Sequence, residues 1–173
     1  MKEYLDIVDE NNKVIGKADW DETRQNNLLH RGSAILIFNS KKELFIHKRS
    51  KQMRKYPNLF STVVGGGVSS GESYDDNAIR ELEEEVGIKD VKLNFLFQTL
   101  FNGDGARSFI NVYSCVYDGD MKFQEEEVEH GFFISLKKLK EMIKKERFSP
   151  PSIHVFNEYI EKHHKNDPTV KNL

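Results

Sequence analysis

Apolar and polar positions alternate along this chain in short runs broken by glycine- and asparagine-bearing turns, and helical spacing appears in three stretches. "YLDIV" (4–8) and "KVIGKADW" (13–20) read as two strands of a hairpin closed by "DENN". Residues 21–32 are polar and are expected to form a loop or a short helix. "SAILIF" (33–38) is a continuous apolar run of strand length, and "NSKKE" turns it into the alternating "LFIHK" (44–48), a second hairpin. "STVV" (61–64) is a short strand that enters the glycine-rich "GGGVSSGE". "VKLNFLFQTLF" (91–101) and "RSFINVYSCVY" (107–117) flank "NGDGA" as a third hairpin, and "GFFI" (131–134) is a last short strand.

The helical stretches are 74–86, 136–146 and 151–163. The second has Ser135 as N-cap and a stripe of Leu136, Leu139 and Ile143. The third starts after Ser149-Pro150 and is expected to bury Ile153, Phe156 and Ile160. Strands and helices mixed in this order predict an α/β (α+β) fold, a mixed sheet packed between helices as a sandwich. No repeat or linker interrupts it. The expected organisation is one domain over 1–173, with 1–32 as an N-terminal hairpin extension and 165–173 as a polar, flexible tail.

Charge and cysteine usage narrow the classes. The formal net charge of −2 gives no global pull on nucleic acid or on a membrane surface. The single cysteine, Cys115, excludes an internal disulfide framework and suits a reducing compartment. "MKEYLDIVDE" lacks the apolar core of a signal peptide, and no apolar run approaches the roughly 18 residues that span a bilayer. A cytoplasmic protein is expected.

The first helical stretch carries the chemistry. "RELEEEVGI" (80–88) places four glutamates in five positions beside apolar residues. With Leu82 at zero and about 100° per residue, Ala78, Ile79 and Val86 fall within about 60° of it. Glu85, Glu81 and Glu84 lie side by side at about −60°, −100° and −160°, while Glu83 falls alone on the other flank. Like charges at this spacing repel by roughly a few tenths of a kcal/mol per pair. An acidic surface helix with an Arg80–Glu84 pair would tolerate that by splaying into water. A divalent cation would neutralise it. "GGGVSSG" just before the helix, with four glycines in seven residues, suits backbone that closely approaches a ligand. Gathered carboxylates and a carbonyl are hard oxygen ligands for Mg²⁺ or Mn²⁺, and Mg²⁺ commonly binds together with substrate phosphates.

Gly66, five residues, Glu72, seven residues, then Arg80-Glu81-Leu82-x-Glu84-Glu85-x-Gly87-Ile88 resembles the Nudix box at every defined position. The resemblance implies a Nudix-type α/β/α sandwich. It implies a magnesium-dependent pyrophosphatase-like hydrolase that cleaves a diphosphate in a nucleoside diphosphate linked to another moiety, or a related phosphorylated metabolite. Water attacks phosphorus in this family. Carried over residue by residue, Glu81, Glu84 and Glu85 look like metal ligands, joined by the Gly66 carbonyl. Arg80 would orient the carboxylates, Glu72 would brace loop and helix, and Gly87 would permit the helix C-terminal turn. The family often recruits a base from outside the box. Among Glu125, Glu126, Glu127 and Glu129 of "QEEEVE", Glu127 is preferred because it closely precedes a strand.

A wider likeness joins residues 4–88 to the isopentenyl-diphosphate isomerase branch of the superfamily, through "YLDIVDENNKVIG", "LLHRGSAILIFN" and "HKRSKQMRKYPNLFSTVVGGG". The isomerase equipment is missing. Gly65 stands where the catalytic cysteine would be and Gly67 where its metal-binding histidine would be. No glutamate lies around Ala106 to Ser108. His30 matches a further isomerase metal position, but its partner is absent. The chain therefore resembles an isomerase-like Nudix hydrolase. A non-catalytic nucleotide-binding module and an isopentenyl-diphosphate isomerase are the alternatives. For substrate binding, the basic segment 47–57 offers Arg49 and Lys55, with Arg107 as a third cation. The expected partner is a small-molecule diphosphate, not a membrane or nucleic acid. The N-terminal hairpin and "GFFI" offer a surface for a homodimer.

Overall fold

The computed structural model of the chain describes residues 3–103 and 106–163. Strands β1 (Tyr4–Val8) and β2 (Val14–Asp19) form the first hairpin, and helix α1 (Trp20–Gln25) follows directly. Then come β3 (Leu29–Phe38), β4 (Leu44–Arg49), β5 (Phe60–Ser61) and helix α2 (Tyr74–Val86). The chain continues through β6 (Asn94–Gly103), β7 (Ala106–Val116) and β8 (Val128–Ile134) to helices α3 (Leu136–Ile143) and α4 (Pro150–His163). The anticipated tail, 165–173, lies outside the described residues. Among the described residues no helix is long and apolar enough to cross a membrane.

β3 is the spine of the sheet. It pairs in parallel with β7 from Leu29↔Arg107 to Phe38↔Val116, and β6 adds antiparallel to β7. Its other edge is shared. β1 meets it at Ile7↔His30, and β4 meets it at Phe38↔Leu44. Between those contacts the edge would be left with unpaired N–H and C=O groups. The glycine-rich segment fills the gap as a substitute strand, with Gly32↔Gly67 and Ile35↔Val64 bridged antiparallel. Ser33 N–H donates to the Gly66 carbonyl at 2.9 Å, and Ile35 and Val64 exchange bonds at 2.7 and 3.1 Å. Gly65, with φ +142°, allows this approach: a Cβ there would run into the backbone of Ser33.

Alternation along β3 builds two cores. Ala34 and Leu36 face α3 and α4 with Leu44, Ile46, Leu139, Val155 and Phe156. Ile35 and Ile37 face α2 with Phe45, Val64, Ala78, Leu82 and Val86. The sheet thus lies between helices, as the alternation predicts.

β3 starts at Leu29, inside the stretch read as loop or short helix, β5 is only Phe60–Ser61, and three helices also depart from the sequence reading. Trp20, read as a strand end, opens α1, because Asp19 caps it by accepting from the Glu22 N–H. Ile79 is 56 % exposed rather than part of the α2 stripe, while Asn77 is fully buried. The buried arc of α2 runs through Asn77, Ala78, Glu81, Leu82, Glu85 and Val86, so it is centred toward the glutamates. On α4 the buried contact is made by Val155 in place of Ile153.

Candidate active site

Helix α2 is fixed at both ends by local chemistry. Ser73 accepts from the Asp76 N–H at its start, where Asp75 and Asp76 complement the helix dipole. Gly87 ends it in the left-handed conformation, with φ 70°, and donates to the Glu83 carbonyl. Asn77 then ties it to the glycine strip. Its amide nitrogen donates to the Gly67 carbonyl at 2.9 Å and to Glu72 at 3.1 Å, and its oxygen accepts from the Ser33 hydroxyl.

That tether brings the carboxylates onto the glycines. A Cβ on Gly66 would lie 2.9 Å from the Glu81 carboxylate, so only glycine leaves room. Gly65 N–H donates to Glu85 at 3.2 Å. Arg80 bridges three acids: its Nε donates to Glu72 at 3.0 Å, Nη2 pairs with Glu81 at 3.0 Å, and Nη1 with Glu84 at 2.7 Å. Glu72 also accepts from Ser69 N–H, holding the loop to the helix. Glu83 points away and pairs with Lys89.

The Glu127 loop closes the far side. Gln124 N–H donates to the Glu85 carbonyl and Lys122 N–H to that of Val86, docking the segment on the end of α2. Ser50 N–H donates to the Glu127 carbonyl, joining it to the end of β4. The Glu127 side chain makes no hydrogen bond or ion pair among the described residues and lines the cleft opposite Glu81 and Glu84.

Burial and mutual repulsion hold Glu81, Glu85 and Glu127 above the usual carboxylate range. Burial raises Glu81 to about 7, against the lowering influence of Arg80, and Glu127 and Glu84 add to the rise. Glu85 is raised well above the ordinary value by burial, then by Glu81 and Glu127, with Arg49 and the Gly65 N–H opposing. Burial also raises Glu127. Fully ionised, the cluster would carry more negative charge than its protein partners offset. Among the described residues no three acidic, histidine or cysteine side chains are already drawn together tightly enough to clasp an ion. Glu84 is turned onto Arg80 instead.

The cleft has a volume of about 750 Å³ and a basic wall facing the acidic one. Arg49 is largely buried, donates to the Lys55 carbonyl at 3.1 Å, and leaves its Nε without a partner. Burial lowers Lys55, and Arg24 and Arg49 lower it further by repulsion. Arg107 is not on this wall. It pairs with Glu10 at 3.1 Å on the outer end of β7, since its β-register partner is Leu29 at the strand start.

Sequence reasoning missed Glu3, Trp20 and Arg24, which line the cleft. Glu3 accepts from Trp20 Nε1 and from the Ser69 hydroxyl, both at 3.0 Å. Trp20 packs where a Cβ on Gly67 would stand. The pattern Asp19-Trp20-Asp21-Glu22, a cap followed by first-turn acids, was the available signal for α1.

The NUDIX domain family model matches residues 28–156, which leaves β1, β2 and α1 ahead of it. An uncharacterized Nudix hydrolase of Pseudomonas aeruginosa is 34 % identical over 159 residues, 92 % of this chain and 94 % of that protein. A second, from Streptomyces coelicolor, is 38 % identical over 136 residues, 75 % of this chain and 74 % of its own length. The crystal structure of a Deinococcus radiodurans protein superposes with a TM-score of 0.74 at 22 % identity, covering 90 % of this chain and 98 % of that one.

Proposed function

The chain belongs to the NUDIX domain family and is a hydrolase, and on that premise we propose that it cleaves a diphosphate linkage by attack of water at phosphorus, with a divalent cation, Mg²⁺ or Mn²⁺. The carrying observation is that Glu81, Glu84 and Glu127 line one cleft together with Arg49 and Lys55, with buried Glu85 next to them on α2 and bonded to the Gly65 N–H of the same strip. Buried carboxylates of this kind are costly unless paired with a cation or protonated. Hard oxygen donors fit a hard divalent ion.

Glu81, Glu84 and Glu85 would hold that ion, with one backbone carbonyl. The sequence reading gave this role to Gly66, but its oxygen accepts from Ser33. The Gly65 carbonyl accepts no hydrogen bond among the described residues, and its own N–H lies on Glu85. We therefore assign the role to Gly65. When bound, the cation would offset charge developing on phosphoryl oxygens and lower the pKa of a bound water.

The chain's residues supply the rest. Arg49 and Lys55 hold the diphosphate. Arg80 fixes the rotamers of Glu81 and Glu84 through the contacts above. Glu127, with no protein donor on its oxygens, takes the proton of the attacking water as general base. The sequence resemblance to isomerases does not extend to their chemistry: Cys115 is buried in the α2-side core, and burial pushes its thiol up to about 11.

The test is a screen with Mg²⁺ over nucleoside di- and triphosphates, nucleotide sugars, dinucleotides, CoA and isopentenyl diphosphate. Release of phosphate, pyrophosphate and mononucleotide is followed, with Glu85→Gln as control. Metal-dependent cleavage absent in the control supports the hydrolase reading. Nucleotide binding with no cleavage of any compound refutes it and indicates a binding module.

A further inference from the structure

A second cavity, of about 170 Å³, opens beside the cleft. The two share Trp20, Arg49, Lys55 and the strip Gly65, Gly66 and Gly67. The acidic cluster lies on the α2 face of the sheet, whereas the walls of the second cavity, Phe101, Ile110 and Val155, belong to the core on the α4 face. A molecule whose diphosphate rests on Arg49 and Lys55 therefore has one end free to enter it.

Two polar groups on the β3–β7 wall of that cavity are unspent. His30 is only 6 % exposed. Its Nδ1 lies 3.0 Å from the Leu28 carbonyl oxygen, which only accepts, so Nδ1 carries the proton and Nε2 is an acceptor. Nε2 has no partner among the described residues. Ser108, the cross-strand partner of His30 in the β3–β7 ladder, is also buried, and its hydroxyl is unpartnered among the described residues. Of the other serine hydroxyls lining the cavity, Ser61 donates to Val63, Ser152 to Ser149 and Ser33 to Asn77, while that of Ser149, at the start of α4, has no partner among the described residues. A buried acceptor beside a hydroxyl that both donates and accepts matches one ligand group best, an alcohol. Arg49 and Lys55 at the mouth disfavour a second cation there.

Size decides the rest. At about 170 Å³ the cavity is smaller than the roughly 300–1,000 Å³ of pockets that enclose a drug-sized ligand, so it suits a short group better than a nucleoside. We propose that this cavity is the specificity pocket for the group esterified to the diphosphate, and that it takes a short, mostly apolar alcohol chain ending in a hydroxyl that donates to His30 Nε2. The inference rests on the diphosphate reading of the adjoining cleft and names its substrate class.

The probes are methylene-bridged, non-cleavable diphosphonates of 4-hydroxybutanol and of butanol, titrated calorimetrically in Mg²⁺. Wild type is expected to bind the hydroxylated probe about tenfold tighter, the effect of one added hydrogen bond to a buried group. In His30→Phe, which keeps a ring against Trp20, the ratio falls toward one. Ser108→Val is the second variant, with the same expectation, should His30→Phe fail to fold. A ratio near one in wild type, or one unchanged in both variants, overturns the pocket assignment. Turnover of the cleavable diphosphates is measured separately. Turnover without probe discrimination leaves the hydrolase reading standing and removes this one; discrimination without turnover does the reverse.

Discussion

His47 sits on β4, 1 % exposed, stacked 6.1 Å from Phe45, and neither ring nitrogen has a hydrogen-bond partner among the described residues. Replacing it by leucine, of similar volume, removes two buried polar atoms that make nothing. Such atoms cost roughly 1–3 kcal/mol to bury, so His47→Leu is expected to be neutral or stabilising at pH 7.5, against the usual loss for a core change. The pH dependence sharpens the test. Burial, then repulsion by Arg49 and His130, lowers the His47 pKa from 6.5 to about 3. The folded chain keeps the ring neutral while the unfolded chain takes the proton below pH 6.5. Stability is therefore lost as pH falls from 6.5 toward 3, at about 1.4 kcal/mol per unit. At pH 5 the loss is about 2 kcal/mol, and this hardly depends on the folded value because that value lies well below 5. Urea unfolding of wild type and His47→Leu at pH 7.5 and 5 measures it, with the difference between them isolating this residue. The gap in favour of leucine should widen by about 2 kcal/mol on acidification. A variant destabilised at pH 7.5 by more than about 2 kcal/mol, or a gap independent of pH, refutes the reasoning and means that the ring is hydrogen-bonded in solution.

Other outcomes follow from the site. Glu84→Gln and Glu85→Gln should each lower kcat/KM at least about a hundredfold, the upper end of what even indirect metal contacts cost, with unchanged circular dichroism; Glu83→Gln, paired only with exposed Lys89, should retain near-normal turnover. Full activity in either of the first two sinks the metal-ligand assignment. Gly65→Ala should lose at least about 2 kcal/mol of stability, from a left-handed backbone and a clash with Ser33; an unchanged Tm contradicts the strip's packing on β3. Arg49→Met should raise KM for a diphosphate substrate more than tenfold, roughly the worth of a charge-assisted hydrogen bond, and kinetics at saturating Mg²⁺ read it. EDTA should abolish turnover and leave the far-ultraviolet spectrum of the fold unchanged.

Much of the molecule was legible because its signals are local. Ser135 caps α3, Gly87 ends α2, and the spacing of Leu82, Val86 and Ala78 gives the helix its packed side. Glu81 and Glu85, which the wheel set at the edge of that stripe, lie inside the buried arc instead. What escaped depends on partners distant in sequence. Ile79 satisfies the apolar period, yet Asn77 rolls the helix toward the glycine strip, and only the fold shows what its amide reaches. Arg107 looked like a cation awaiting phosphate until the hairpin delivered Glu10, 97 residues away, to its side. Trp20 reads as a strand end because its place against Gly67 is invisible until the strip lies on β3. His30 was noticed through a motif resemblance to another chemistry, while its place beside Ser108 follows from strand register.

Arg80, bonded at once to Glu72, Glu81 and Glu84, has a consequence for the order of events in the life of the chain. It acts as a resident counterion within the acidic strip, so α2 can form and dock before any metal is present. On the proposed metal-dependent reading, folding and metal loading are then separate steps, unlike small metallodomains whose ion is the fold. On that reading, a chain made where magnesium is scarce would finish as a complete scaffold that is idle rather than misfolded, and the ion's arrival would switch on chemistry without having to build structure.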